Sequence, residues 1–194
     1  MSKLFFYDAE TTGLLHYKNA IHQLSGMIVI NNVIMEEFNF SIRPHAKAVI
    51  EESALAVGNV TEEQIMAYPE AYIVHNKILN LLAKYCNKYD KTDKLHLIGY
   101  NNRRFDDSFL RSFFDVCGDK YFGSWFWNDT SDVLVLASNY LQDVRKELPD
   151  FKLHTVAAYL GIEIDETKLH NAVYDIHLTK AIYDIVGTNK LSKI

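Results

Sequence analysis

Hydrophobic and polar positions follow two regimes along this chain. Residues 3–8 (Lys-Leu-Phe-Phe-Tyr-Asp) form a nearly continuous apolar run, the pattern of a strand covered on both faces. Residues 24–31 and 33–42 read as two further strands, and Asn31-Asn32 between them suits a tight hairpin turn. Beyond residue 60 the period lengthens. Thr61 and Gln64 carry a capping-box pattern for a short helix. Ile73, Val74, Ile78, Leu81, Leu82 and Tyr85 then recur at helical spacing within 69–87. Residues 95–100 predict a buried strand, 105–116 a helix and 124–127 a short strand. A helix follows over 132–147, capped by Thr130, Ser131 or Asp132 and stopped by Pro149. Helices over 153–160, ended by Gly161, and over 171–185 complete the pattern. Three strands followed by alternating helices and strands predict an α/β fold: a mixed central sheet of about five strands, flanked by helices.

Composition narrows the class. The chain has 194 residues, 48% hydrophobic and 23% charged, enough for one domain over 1–194 with a proper core. Lysine and arginine number 20 against 25 acidic residues, a net charge of −5, which excludes a basic coat that tracks phosphate over its whole surface. Cys86 and Cys117 provide neither a disulfide framework nor zinc-ligand spacing, and read as inert helix residues in a reducing, cytoplasmic setting. No apolar run reaches the ~18–20 residues of a membrane span, and no signal-peptide pattern opens the chain, so no membrane partner is expected.

Some of the acids stand where solubility does not need them. Asp8 and Glu10 interrupt the end of the first buried strand, and residues two apart on a strand point to one face. Two such carboxylates repel and lose hydration, and a hard divalent cation relieves both costs. Glu163 and Asp165 share the spacing but sit in a polar loop. Asp106 follows a buried strand and opens a helix, the sheet edge where α/β folds place ligands; it equally suits the helix dipole. His170 and Asp175 flank the start of the last helix, where His170 by itself could be an N-cap or a surface histidine.

Taken in order, Asp8-Ala9-Glu10-Thr11-Thr12-Gly13, Asn102-x-x-Phe105-Asp106 and His170-x-Ala172-x-x-Asp175 resemble the three motifs of the DnaQ-like 3′–5′ exonucleases. The histidine matches the DEDDh subgroup; the DEDDy pattern would need tyrosine at the position of Asn171. Residues 98–107 are particularly similar to bacterial exonuclease I, whose large C-terminal part has no counterpart in 194 residues. The resemblance implies an RNase H-like fold and hydrolytic release of nucleoside 5′-monophosphates from a 3′ end; single-stranded DNA is the expected substrate, with exoribonuclease action on RNA ends as the main alternative, because the motifs do not fix the sugar. It assigns two divalent cations, Mg²⁺ or Mn²⁺, to Asp8, Glu10, Asp106 and Asp175, and the role of general base to His170. A polymerase partner for proofreading, or an inactive nucleic-acid adaptor, is the alternative setting; the oligomeric state is left open.

For substrate holding, Leu14 resembles the family's apolar wedge against the terminal base, or else is a core leucine. The Thr11-Thr12-Gly13 turn can offer backbone N–H groups. Asn102 matches a position near substrate, or is a turn residue satisfied by backbone, and Phe105 belongs to the same motif. Arg103 and Arg104 are phosphate contacts or simply solvated. Trp125, Phe126 and Trp127 read as core and sheet packing in preference to base stacking.

Overall fold

A computed structural model describes residues 2–165, 167 and 172–187. Its centre is a five-stranded sheet in the order β3-β2-β1-β4-β5, formed by β1 (Lys3–Thr11), β2 (Ile21–Ile30), β3 (Val33–Ser41), β4 (Leu95–Gly99) and β5 (Phe126–Asp132). β1–β2 and β2–β3 are antiparallel, while β1–β4 and β4–β5 are parallel, the expected mixed sheet. The hairpin closes at Asn31 and Asn32, whose φ angles of 50° and 67° are the left-handed pair a two-residue turn needs.

Helices cover both faces. On one, Phe5, Tyr7 and Ala9 pack with α3 (Ala71–Ala83) and α4 (Asp106–Val116). Burial of Phe109, Leu110, Phe113 and Phe114, at about 1.5–3 kcal/mol each, holds α4 down. On the other, Phe6 packs against α8 (Ala172–Val186), its ring 5.5 Å from that of Tyr183, with α6 (Val133–Tyr140) and α7 (Leu153–Tyr159) alongside. Alternation along β1 therefore puts Asp8 and Glu10 on the α8 face.

Several boundaries differ from the sequence pattern. Residues 124–125 end a short helix, α5 (Phe122–Trp125), and the strand runs from Phe126 to Asp132. Trp125 and Phe126 are buried as core, whereas Trp127 is 37% exposed with Lys94 over its ring. The helix expected over 132–147 ends at Tyr140 and passes into a 3₁₀ segment, Gln142–Glu147; of its three candidate caps, Asp132 accepts from the Leu134 N–H. The helix within 69–87 spans only α3, and two short helices precede it: α1 (Glu52–Val57), which the pattern does not predict, and the capped α2 (Glu62–Met66). Burial raises both cysteine thiols to about 11, so they stay protonated and unreactive. Among the described residues no helix is long and apolar enough to cross a membrane.

Candidate active site

The parallel pairing of β1 with β4 covers only Leu4–Phe6 against His96–Ile98. Past that point β1 continues to Thr11 beside β2 alone, so its outer edge is open where Asp8 and Glu10 stand. The start of α4 fills the gap: the Ala9 N–H donates to Asp106 Oδ1 at 3.1 Å, which fixes a buried carboxylate against the strand. Gly99 lets the chain leave β4 this close, since a Cβ there would lie 2.6 Å from Asn102 Cβ and 3.1 Å from the Tyr7 carbonyl oxygen. Asp175 arrives from the first turn of α8.

Asp8 lies within the fields of the other three acids. The Asp8 carboxyl is pushed well above the usual range, first by burial and then by Asp106, Glu10 and Asp175. Asp106 is pushed up to about 7, chiefly by burial; N–H donation from Ala9 opposes the rise, and Asp107 and Glu10 add to it. Among the described residues no three His, Cys, Asp or Glu side chains are gathered tightly enough to form a finished ion cage. The donor set still fits hard divalent cations: it is all oxygen, and its raised affinity for protons is the cost that a cation would remove. His170 lies outside the described residues.

The turn after β1 is built from inside. Thr12 Oγ1 donates to the Val49 carbonyl at 2.8 Å and accepts from the Ala20 N–H, and Thr11 Oγ1 donates to the Gly13 carbonyl. A Cβ on Gly13 would fall 2.3 Å from Asn19 Nδ2 and 2.5 Å from Glu51 Oε1. The threonine side chains are thus committed to the fold, while the Gly13 and Leu14 N–H groups have no hydrogen bond among the described residues. Leu14 is 74% exposed, which removes the core reading.

Asn102 departs most from expectation. It is fully buried, and its amide donates to Thr130 Oγ1 at 2.8 Å, Asp107 Oδ1 at 3.2 Å and the Tyr7 hydroxyl at 3.4 Å. It is not a turn residue held by backbone; its side chain ties β1, β5 and α4 together. The exposed residue is its neighbour Asn101, in the left-handed region at φ 60°, whose N–H donates to Asp132 Oδ1. Phe105 is half-buried with its ring 4.8 Å from that of Phe109, and Arg103 and Arg104 are exposed. Sequence reasoning missed the Tyr7 hydroxyl donating to Asp107; the signal was a tyrosine and an aspartate each adjacent to a motif acid. It also missed a cleft of about 410 Å³ beside Asp175. Two larger hollows, about 750 and 780 Å³, lie at the opposite end of the sheet around Asp93.

Comparison with known proteins fixes the lineage. The exonuclease family model RNase T matches residues 5–183, nearly the whole chain. The chain belongs to this DnaQ-like exonuclease family. Exodeoxyribonuclease I of Escherichia coli (strain K12) is 25% identical, aligned over 97% of this chain and 41% of its own length. The structure of E. coli exonuclease I in complex with a dT13 oligonucleotide superposes with a TM-score of 0.75 at 22% identity, covering 97% of this chain and 41% of that one. The zinc-bound form of the exonuclease I–single-stranded DNA complex gives 0.77 at 24% identity, covering 98% and 41%. These superpositions establish the RNase H-like fold, and the chain spans about two-fifths of the length of the relatives it matches.

Proposed function

We propose that residues 1–194 act as one exonuclease domain that removes nucleoside 5′-monophosphates from the 3′ end of single-stranded DNA. The observation that carries this reading is the convergence of Glu10, Asp106 and Asp175 on Asp8 at the open edge of β1, all three acting on the charge of its carboxylate. Kinship with an exodeoxyribonuclease supports the direction and the DNA preference. Two divalent cations held by these carboxylates, Mg²⁺ or Mn²⁺, would neutralise charge on the attacking water, the phosphate and the leaving oxygen.

The rest of the work falls to the chain itself. The exposed Leu14 packs against the terminal base, and the Gly13 and Leu14 N–H groups donate to its sugar or phosphate. His170, as a neutral imidazole, accepts the proton of the attacking water. The Ala9 N–H holds Asp106 in place throughout.

The test uses oligonucleotides labelled at either end, with Mg²⁺. Stepwise shortening from the 3′ end that EDTA stops is expected, faster on single-stranded DNA than on matched RNA or duplex; no hydrolysis with any divalent metal would overturn the reading. His170→Ala is expected to lower kcat by about 10²–10⁴-fold with KM changed far less, and to flatten the rise in rate between pH ~6 and ~7. A change in KM alone would remove His170 from the base role.

A further inference from the structure

The end of the sheet remote from the carboxylates carries the opposite charge. Between α3 and β4, residues 84–94 hold four lysines against two aspartates, in a chain whose net charge is −5. Both aspartates are turned inward. Asp90 accepts from the Thr92 N–H and hydroxyl, at 2.8 and 2.7 Å. Asp93 accepts from the Asn87 N–H at 3.0 Å and pairs with Lys3 at the start of β1. The loop is thus fixed by its own acids, and its lysines are left outward. Lys84 pairs with Glu36, whereas Lys88, Lys91 and Lys94 have no ion pair among the described residues. Two of these three lie against aromatic rings. Lys88 Nζ is 5.2 Å from the ring centroid of Tyr89, which is 84% exposed, and Lys94 Nζ is 5.3 Å from that of the half-exposed Trp127. The two hollows of about 750 and 780 Å³ share Asp93 as a wall; Tyr89 and Lys88 line the first, Trp127 and Lys94 the second.

We propose that this end of the sheet is a second, non-catalytic surface for single-stranded nucleic acid, with bases on Tyr89 and Trp127 and phosphates on Lys88, Lys91 and Lys94. Each hollow sets an exposed ring beside an ammonium, the pair of contacts that every nucleotide of a strand can use, base on ring and phosphate on cation. A duplex hides its base faces, and an acidic peptide leaves the rings without a stacking partner, so the combination selects a single strand. The surface stands apart from the reaction. Lys94 precedes β4 and Tyr100 follows it, and five strand residues at about 3.3 Å each put roughly 17 Å between the loop and the carboxylate end. A 3′ end at the carboxylates therefore leaves this surface to the body of the strand. The outer edge of β5 links the two ends, from Trp127 to Asp132, whose carboxylate holds the Asn101 N–H. For turnover the proposal rests on the exonuclease reading above: a strand held here keeps its 3′ end at high effective concentration beside the carboxylates.

A small circle of single-stranded DNA, which has no 3′ end to offer the carboxylates, isolates this surface. In EDTA, fluorescence anisotropy should show the wild type binding the labelled circle. Replacing Lys88, Lys91 and Lys94 together by alanine should weaken binding at least about tenfold near 0.1 M salt, and should shrink the slope of log K against log salt by about 2, three phosphates on a single strand. Tyr89→Ala, at an exposed ring, should weaken binding at least about fivefold with the slope unchanged, as loss of one stacked base requires. With Mg²⁺, the triple variant should raise KM for an oligonucleotide of about 25 nucleotides several-fold, yet change kcat/KM for one of about 5 nucleotides less than twofold. A circle that binds wild type and triple variant alike, or a wild type that prefers polyglutamate to the circle, would overturn the surface. A wild type that cleaves neither oligonucleotide would overturn the exonuclease reading instead, and the circle would still decide the surface.

Discussion

Asp8→Asn is expected to remove metal-dependent shortening of oligonucleotides, by at least about 10³-fold in rate, while making the metal-free protein more stable. The loss follows from taking one carboxylate out of a set whose proposed task is to hold cations. The gain follows from burial and from Asp106, Glu10 and Asp175, all of which oppose the charge on Asp8. Relief of such repulsion is worth roughly 1–2 kcal/mol, a shift of a few degrees in Tm. The sign with pH is fixed by the same arrangement. Asp8 and Asp106 bind protons more tightly folded than unfolded, so the folded state retains more protons as pH rises from the ordinary carboxylate range near 4 toward about 7. Metal-free stability should therefore fall across that window, and Asp8→Asn should fall less steeply. Saturating Mg²⁺ should return the lost stability at pH 8, by about 2.7 kcal/mol at a hundred times its Kd. Thermal melts at pH 5 and 8, with EDTA and with Mg²⁺, measure all three; a wild type more stable at pH 8 than at pH 5 in EDTA would contradict the electrostatic account.

Asn102→Ala separates a structural asparagine from a substrate contact. The side chain donates to Thr130, Asp107 and Tyr7 from a fully buried position, and its removal leaves those groups short of a partner. A loss of about 2–3 kcal/mol is expected from urea unfolding, with KM for oligonucleotide in the folded fraction close to wild type. Unchanged stability with a large rise in KM would put Asn102 at the substrate instead.

What was legible in the sequence was whatever local pattern or motif order could express. The apolar run at the start of β1 and the Asn31-Asn32 turn specified the central hairpins, and the three motifs named four acids that the fold does bring into one field. β5 was misplaced because it is an edge strand with one wet face: after Phe126 it reads Trp-Asn-Asp-Thr-Ser-Asp, with no apolar alternation to see. α1 was missed because it buries only Leu55 and has no side-chain cap. The direction of Asn102 could not be read at all. Whether it or Asn101 faces the cleft depends on a left-handed residue held by Asp132, thirty-one residues further on. Leu14 was undecided for a related reason, since an apolar residue in a turn looks the same in sequence whether it is covered or bare.

The four acids enter the chain far apart, Asp8 and Glu10 near its start, Asp106 at mid-chain and Asp175 in the first turn of the last described helix. During synthesis, at about 5–20 residues per second, the ribosome makes most of the sheet before that final carboxylate exists. A nascent chain therefore carries an incomplete acid set until residue 175 has been made. On the proposed chemistry it stays harmless to nearby single strands until α8 docks, which ties the onset of nuclease activity to the completion of folding.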